Sequence, residues 1–447
     1  MTADILSLLD PFVAKALKLG ADEVEFFAQR LKNKTANFEA NNLKSAVSTI
    51  LDGVGIRVLK NKALGFTSVN SLKKDKILEG LKEAFAIAKV TPPEPNYYLP
   101  SKQLAIQVSD IYDPAIESFS MDDTINSAKL LLNTATAYDP RISIDSGLFQ
   151  AAIIEKAIAT STGINNSEMK SALSFGLFGM AIDGDDIGSF DYEFDTVIKV
   201  SEVNVEKLAT DFAVKILGNL GSKKTNSFEG TAVFTPDTTQ ELFSLVIDSA
   251  KATAIQAGAS YLQDKLGEVI AVKDLTIIDD GTIKGSPGSS AFDREGVTRK
   301  KLNVIDKGTF TGVFYDTFTA NKESLASTGH AGGSFRNIPN IVTTNLNFKP
   351  GKTSIDAILP EIKKGILIKR ISASPDPVSG DFSAAIKGGQ LIENGEVTDT
   401  LKEITAVGNV YSALKSISHV SKEQKPIRGE QTWFVPYLSV DNIKFAS

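Results

Sequence analysis

The 447-residue sequence contains no cysteine, only two histidines (His330 and His419), one tryptophan and four methionines. Without cysteine there is no disulfide, no thiol nucleophile and no thiolate metal ligand, which excludes the stapled architecture of small secreted proteins and most soft-ligand chemistry. No apolar run approaches the roughly 18 residues that span a bilayer. The N-terminus lacks a basic leader, and Asp4, Asp10 and Pro11 interrupt any apolar stretch there. That pattern is not a signal peptide, and a cytoplasmic location is expected. Positive charge is also scarce: the net charge is -6 and the pI near 5.3. The short basic runs Lys60-Asn-Lys62 and Lys73-Lys74 read as solvated loop charges, so no nucleic-acid surface is expected. Chemistry in this chain rests on carboxylates and hydroxyls, or belongs to a partner.

What is present is an ordinary globular composition, 42% hydrophobic and 23% charged, at a length that calls for two or three domains. The first half reads as two cycles of helix, antiparallel meander and helix. In the first cycle, a helix over about 11–19 closes at Gly20. Strands follow at 23–30, 35–41, 44–51, 54–60 and 63–69, with turn signals at Asn41-Asn42, Asp52-Gly53 and Asn61-Lys62. A helix over 73–90 buries Ile77, Leu78, Leu81, Phe85 and Ala88 and ends before the prolines at 92, 93 and 95. In the second cycle, a helix over about 121–138 precedes strands at 142–149, 151–161, 169–182 and 188–198, and a helix over about 203–218. The repeat lies in element order and not in residue identity.

The polar segment Gly221–Ser227 reads as a linker, dividing an N-terminal α+β domain (1–221) from a C-terminal domain (228–447). Beyond it come a short strand, Thr231–Phe234, and one main helix opened by Asp237 as N-cap. Turn signals at Asp279-Asp-Gly281, Asp306-Lys-Gly308 and Glu393-Asn-Gly395 make the rest β-rich. The expected fold class is therefore α+β: helices laid on antiparallel sheet in a possible two-fold repeat, then a β-rich domain around one helix.

Three motifs invite a catalytic reading and fail it. Lys349-Pro-Gly-Lys-Thr-Ser354 has the Gly-Lys-Thr of a phosphate loop, but Leu346 stands where the first glycine belongs. Asp183-Gly-Asp-Asp186 lacks the alternate-oxygen spacing of a calcium loop and reads as a hairpin turn. No Gly-x-Ser-x-Gly elbow accompanies either histidine. His330 lies in a glycine-dense loop, a composition used where backbone must approach backbone closely or where a ligand docks. His419 reads as structural.

An ordered series of blocks then stands out: Ser290-Ala-Phe-Asp-Arg-Glu-Gly296, Ser327-Thr-Gly-His-Ala-Gly-Gly333, Ser379-Gly-Asp-Phe-Ser383, Leu391-Ile-Glu-Asn-Gly-Glu396 and Gly408-Asn409. With Gly20–Val24, Gly53–Ile56 and Asp139–Ile142 upstream, the series resembles the TldD/TldE family, also called PmbA, and within it the TldE branch. The resemblance implies a two-subunit zinc metallopeptidase. One subunit carries a His-Glu-x-x-x-His helix and a later cysteine, and the other lacks them. The helix after Asp237 is the counterpart of the zinc helix, and its matching positions are Ser244, Leu245 and Ser249. None can replace its counterpart, since hydroxyls are poor zinc ligands and leucine takes no proton from water. The resemblance thus implies a subunit with no cofactor of its own, zinc in a TldD-like partner, and small or unfolded peptides as the substrate of the complex. It also places Gly329, His330, Gly332, Gly333, Gly380 and Asp381 in loops near the partner or the peptide path. The alternative is a stand-alone, homodimeric peptide-binding or regulatory protein.

Overall fold

In the computed structural model, which describes residues 2–447, the two cycles of the first half build one antiparallel sheet. The first cycle is α1 (Thr2–Lys18), β1 (Glu23–Glu39), β2 (Asn42–Lys60), β3 (Ala63–Val69) and α2 (Lys74–Val90). The second is α3 (Met121–Tyr138), β4 (Ile142–Thr160), β5 (Asn165–Asp183), β6 (Asp191–Val197) and α4 (Val205–Leu217). The sheet order β3-β2-β1-β4-β5-β6 sets the cycles back to back, with β1 and β4 antiparallel at the centre (Lys32 opposite Ile153). An approximate two-fold axis therefore passes between β1 and β4, and the repeat read from element order is a structural repeat.

All four long helices lie on one face of this sheet. One pair covers Phe26, Ala28, Ile56 and Ala157 through Leu9, Phe12, Ile77 and Leu81. The other pair covers Phe38, Phe149, Ile153 and Phe175 through Leu131, Ala135 and Phe212. The first helix begins well before residue 11 and contains Pro11. Its buried stripe of Ile5, Leu9, Phe12 and Ala16 outweighs the one hydrogen bond a proline removes.

The strands are longer than expected. Asn41 and the Asn61-Lys62 pair adopt positive φ and turn the chain, but Asp52-Gly53 runs straight through β2. Gly53 serves a close approach from the opposite face. A Cβ there would stand 2.2 Å from the Phe335 ring, and one on Gly55 would stand 2.4 Å from the Phe335 carbonyl oxygen.

In the second half, β7 (Phe228–Phe234) leads into α5 (Pro236–Ser249). The strands that follow are β8 (Ile277–Asp280), β9 (Lys301–Asp306), β10 (Thr309–Phe310), β11 (Asn345–Phe348), β12 (Lys364–Ser372), β13 (Asp381–Glu393), β14 (Glu396–Leu401), β15 (Ile404–Asn409), β16 (Ile417–Arg428) and β17 (Thr432–Ala446). The order β17-β15-β13-β12-β7 closes on itself because β7 also pairs with β17, which makes a small barrel. α5 packs against β17, β12, β16 and β7 as the main helix of this β-rich half. Its N-cap is Thr235, with Pro236 in the first turn. Asp237 caps nothing and instead pairs with Lys425 at 3.2 Å. The turns at Lys307-Gly308 and Asn394-Gly395 form as expected. Asp279-Asp280-Gly281 is not a tight hairpin, since β8 meets β9 only after a long loop. Among the described residues, no helix is long and apolar enough to cross a bilayer.

Candidate functional site

The helix that the sequence singles out is buried on nearly every side. Leu242, Phe243, Leu245, Val246 and Ile247 all belong to the C-terminal core. Ser244 turns its hydroxyl back on its own helix, donating to the Glu241 carbonyl at 2.9 Å. Ser249, at the last turn, lies 2.7 Å from the phenolic oxygen of Tyr411. That phenol donates to the Pro377 carbonyl at 3.0 Å, so Ser249 must be the donor to Tyr411. Burial pushes the Tyr411 phenol up and keeps its proton in place. Tyr261 stacks on the Tyr411 ring with centroids 3.8 Å apart. The Ser249 carbonyl accepts from Ser260 at 2.6 Å, which fixes the chain on the other side of the stack.

Gly380 explains how the ring fits. It has φ +80°, and a Cβ there would stand 2.4 Å from the Tyr411 ring. Gly380 is thus brought beside Ser249 through Tyr411. The neighbouring Asp381 is exposed and accepts from Asn409 at 2.8 Å.

These residues do not fit a zinc ion. The Ser249 hydroxyl is committed to Tyr411, whose ring is stacked on Tyr261, and Leu245 offers no donor atom. Among the described residues, no group of three or more His, Cys, Asp and Glu side chains is placed to hold a metal.

The other glycine loop lies elsewhere. Ala331–Gly332 forms a two-residue strand against Asn340–Ile341, with Gly329 before it, and Gly333 leads into the turn that delivers Phe335 to the N-terminal sheet. His330 is 1% exposed. Its Nε2 lies 3.1 Å from Asp279 Oδ1 and its Nδ1 lies 2.8 Å from Thr328 Oγ1. Burial lowers its pKa, with Arg299 and Lys300 acting in the same direction and Asp279 opposing. A neutral imidazole with the proton on Nε2 satisfies both contacts. Among the described residues, no hydrogen bond links this loop to Gly380-Asp381. His419 lies on β16 with Nε2 3.3 Å from Glu361.

Sequence reasoning missed Tyr411 and Tyr261, because nothing local marks a tyrosine as the partner of a serine on a helix far away in the chain. It also missed a buried four-charge cluster between the halves. Arg57 donates to Glu25 at 3.0 Å and to Glu295 at 2.9 Å, and Arg294 donates to Glu25 at 2.7 Å. The Arg294 guanidinium lies 3.9 Å from the Phe27 ring centroid. Arg294 and Glu295 sit within the Ser290–Gly296 block, which was the available signal.

Comparison with known proteins agrees with this architecture. Residues 227–447 match the PmbA/TldA metallopeptidase C-terminal domain, and residues 24–88 match the PmbA/TldA metallopeptidase domain 1. The chain is 24% identical to metalloprotease PmbA of Escherichia coli O157:H7, over 93% of this chain and 92% of that protein. It is 23% identical to the zinc metalloprotease TldD homolog of Saccharolobus solfataricus, over 92% of this chain and 91% of that protein. The crystal structure of TldE from Thermococcus kodakarensis shares the fold with a TM-score of 0.92 at 24% identity, over 98% of this chain and all of that one. With domain matches that together take in more than half of its residues, the chain belongs to the PmbA/TldD metallopeptidase family.

Proposed function

We propose that this chain is the non-catalytic, TldE-like subunit of a heterodimeric zinc metallopeptidase that acts on small or unfolded peptides in the cytoplasm. The observation that carries the reading is the state of α5. The positions matched to a zinc helix hold Ser244, Leu245 and Ser249, and Ser249 is bonded to Tyr411, whose ring is stacked on Tyr261. The 447 residues contain no cysteine for a third ligand. On this reading zinc and the general base belong to a TldD-like partner, and this chain contributes shape, stability and part of the peptide path. The glycine loops around His330 and Asp381 are candidates for that path.

The test is elemental zinc content and peptidase activity of this chain, alone and mixed with a relative that carries the His-Glu-x-x-x-His helix. The expected result is no zinc and no cleavage alone, with activity appearing or rising in the mixture. Stoichiometric zinc and cleavage by the isolated chain would overturn the reading.

A further inference from the structure

Four helices cover one face of the N-terminal sheet, and the barrel half covers only part of the other. On that second face the side chains of β1, β4 and β5 stand in rows, because the register runs straight across the three strands. One row is Gln29, Lys156 and Glu168, and the barrel half sits directly on it. The Phe335 amide donates to Gln29 Oε1 at 2.8 Å, Lys156 donates to the Phe292 carbonyl at 2.9 Å, and Glu168 accepts from Ser290 at 2.8 Å. The next two rows, Leu31-Ile154-Lys170 and Asn33-Ala152-Ala172, lie beyond that contact and line a cavity of about 560 Å³. A chain laid along this face therefore meets a wall at the first row, and Lys170 is the last side chain before it on β5.

Two groups in this cavity lack partners. Lys170 is half-buried and donates to the Pro287 carbonyl at 2.7 Å, but among the described residues no carboxylate pairs with it. The neighbouring Glu168 is taken by Lys156 at 3.2 Å. Burial and the Lys156 charge push Lys170 down to about 8, with Arg299 acting the same way and Glu168 and the exposed Glu430 opposing. A cation withdrawn from water without a counter-ion is unfavourable, and an anion brought by a ligand relieves it. Arg336, exposed at the rim, adds a second positive charge that no described carboxylate pairs. The other group is Asn33, whose side-chain oxygen is buried without a hydrogen-bond partner and so lacks a donor.

Both needs are met by one ligand with an anion at one end and an N–H group further along. An inorganic anion would satisfy Lys170 and leave Asn33 as it is. Lys170 and Asn33 stand two strands and one row apart, which places their Cα atoms about 12 Å from each other. That distance is about three or four residues of extended chain. Between them the floor is Ile154 and Ala152, which present no charge to a chain crossing it. Because the wall stops the chain beside Lys170, what arrives there is a chain end, and the end that carries negative charge is the C-terminus.

We infer that this cavity holds the C-terminal end of a short peptide, with Lys170 pairing its carboxylate and Asn33 accepting from a backbone N–H. Arg336 at the rim draws the negative end inward. The inference deepens the subunit reading and rests on it for the class of ligand. It is tested by binding to the isolated full-length chain, whereas the subunit reading is tested by activity of the mixture, so either can fail alone.

The probes are acetylated tetra-alanine with a free C-terminal carboxylate, the same peptide as its C-terminal amide, and an amidated peptide of equal length whose one carboxylate is an aspartate side chain. Binding is read by isothermal titration calorimetry. The free acid binds, and both amides bind about tenfold or more weakly, because only the acid brings Lys170 a counter-ion at a chain end. The acid binds about tenfold more weakly at pH 9 than at pH 7, since the unliganded chain loses the Lys170 proton near pH 8. Lys170→Met binds the acid no better than the amide, and its unfolding midpoint in denaturant is unchanged or higher, because the substitution removes a cation that has no counter-ion within the chain. No binding of the acid, equal binding of acid and amide by the parent chain, or undiminished acid binding by Lys170→Met would overturn the proposal. Binding of the aspartate peptide as tight as that of the acid would overturn the assignment to a chain end.

Discussion

At the scale of single residues, the histidine that drew attention in the sequence has a structural assignment with a pH signature. His330 is buried, and its pKa lies below the ordinary imidazole value of 6.5. The unfolded chain therefore takes up a proton near that value that the folded chain refuses. Stability is fully present above pH 6.5 and falls as pH drops below it, by up to about 1.4 kcal/mol per pH unit. Asp279 is also held below its usual range. Its burial is outweighed by the His330 and Thr344 hydrogen bonds, so its contribution is lost only at more acid pH. Urea unfolding between pH 7 and 5.5 should show the slope in the parent chain. His330→Gln, which keeps a donor toward Asp279 but does not titrate, should flatten it. An unchanged slope in that variant would assign the pH dependence to other groups. Tyr411 gives a second residue-scale outcome. Tyr411→Phe keeps the stack on Tyr261 but removes the acceptor of Ser249 and the donor to Pro377. It should cost about 1–2 kcal/mol in denaturant titration without conferring zinc binding.

At the scale of elements, signals that act over a few neighbours hold, and contacts from distant parts of the chain override them. Helix periodicity found α2 and α3 within a residue or so, and the Asn-rich turns at 41 and 61 formed, because both signals act over a few neighbours. Asp52-Gly53 misled for the opposite reason. Its glycine answers to Phe335, nearly three hundred residues away, and no window of sequence contains that contact. Asp237 was misplaced as a cap because Lys425, on a distant strand, claims its carboxylate. The contact of Tyr411 with Ser249 was not legible, since it depends on how β15 and the segment after it return to α5. The element-scale prediction concerns Gly55. A methyl group there meets the Phe335 carbonyl, a backbone atom that cannot rotate away. Gly55→Ala should cost about 1–3 kcal/mol. It should also loosen the 333–337 turn from the sheet, detected as faster limited proteolysis at that turn than in the parent chain. Unaltered proteolysis would mean that the turn is held by its other contacts alone.

At the scale of the whole molecule, the two halves are joined by an apolar patch and an ion cluster side by side. Phe27, Ile158, Ile164, Phe292 and Phe335 form the patch. Glu25 and Arg57 from the sheet meet Arg294 and Glu295 from the second half beside it, all of them buried. The cluster is neutral overall, and Arg57 bridges both glutamates. Burial alone would raise the Glu25 carboxyl, but Arg57 and Arg294 together bring it below its usual range, so it stays charged. Removing Arg57 leaves Glu25 with Arg294 alone and strands Glu295 with only the Thr317 amide, at 2.8 Å. A buried charge deprived of its partner costs far more than the pair contributed, so Arg57→Met should cost about 3–5 kcal/mol. Because the loss falls between the halves, it should also divide the unfolding process. Calorimetry of the parent chain should give one transition, and that of Arg57→Met two, with the sheet half and the barrel half melting separately. Adding Glu295→Gln to Arg57→Met should restore part of the loss by removing the stranded charge, while Glu25 keeps its pair with Arg294. If Arg57→Met instead melts in one transition near the parent temperature, the apolar patch alone couples the halves, and the buried charges are passengers in an interface that hydrophobic contact already holds.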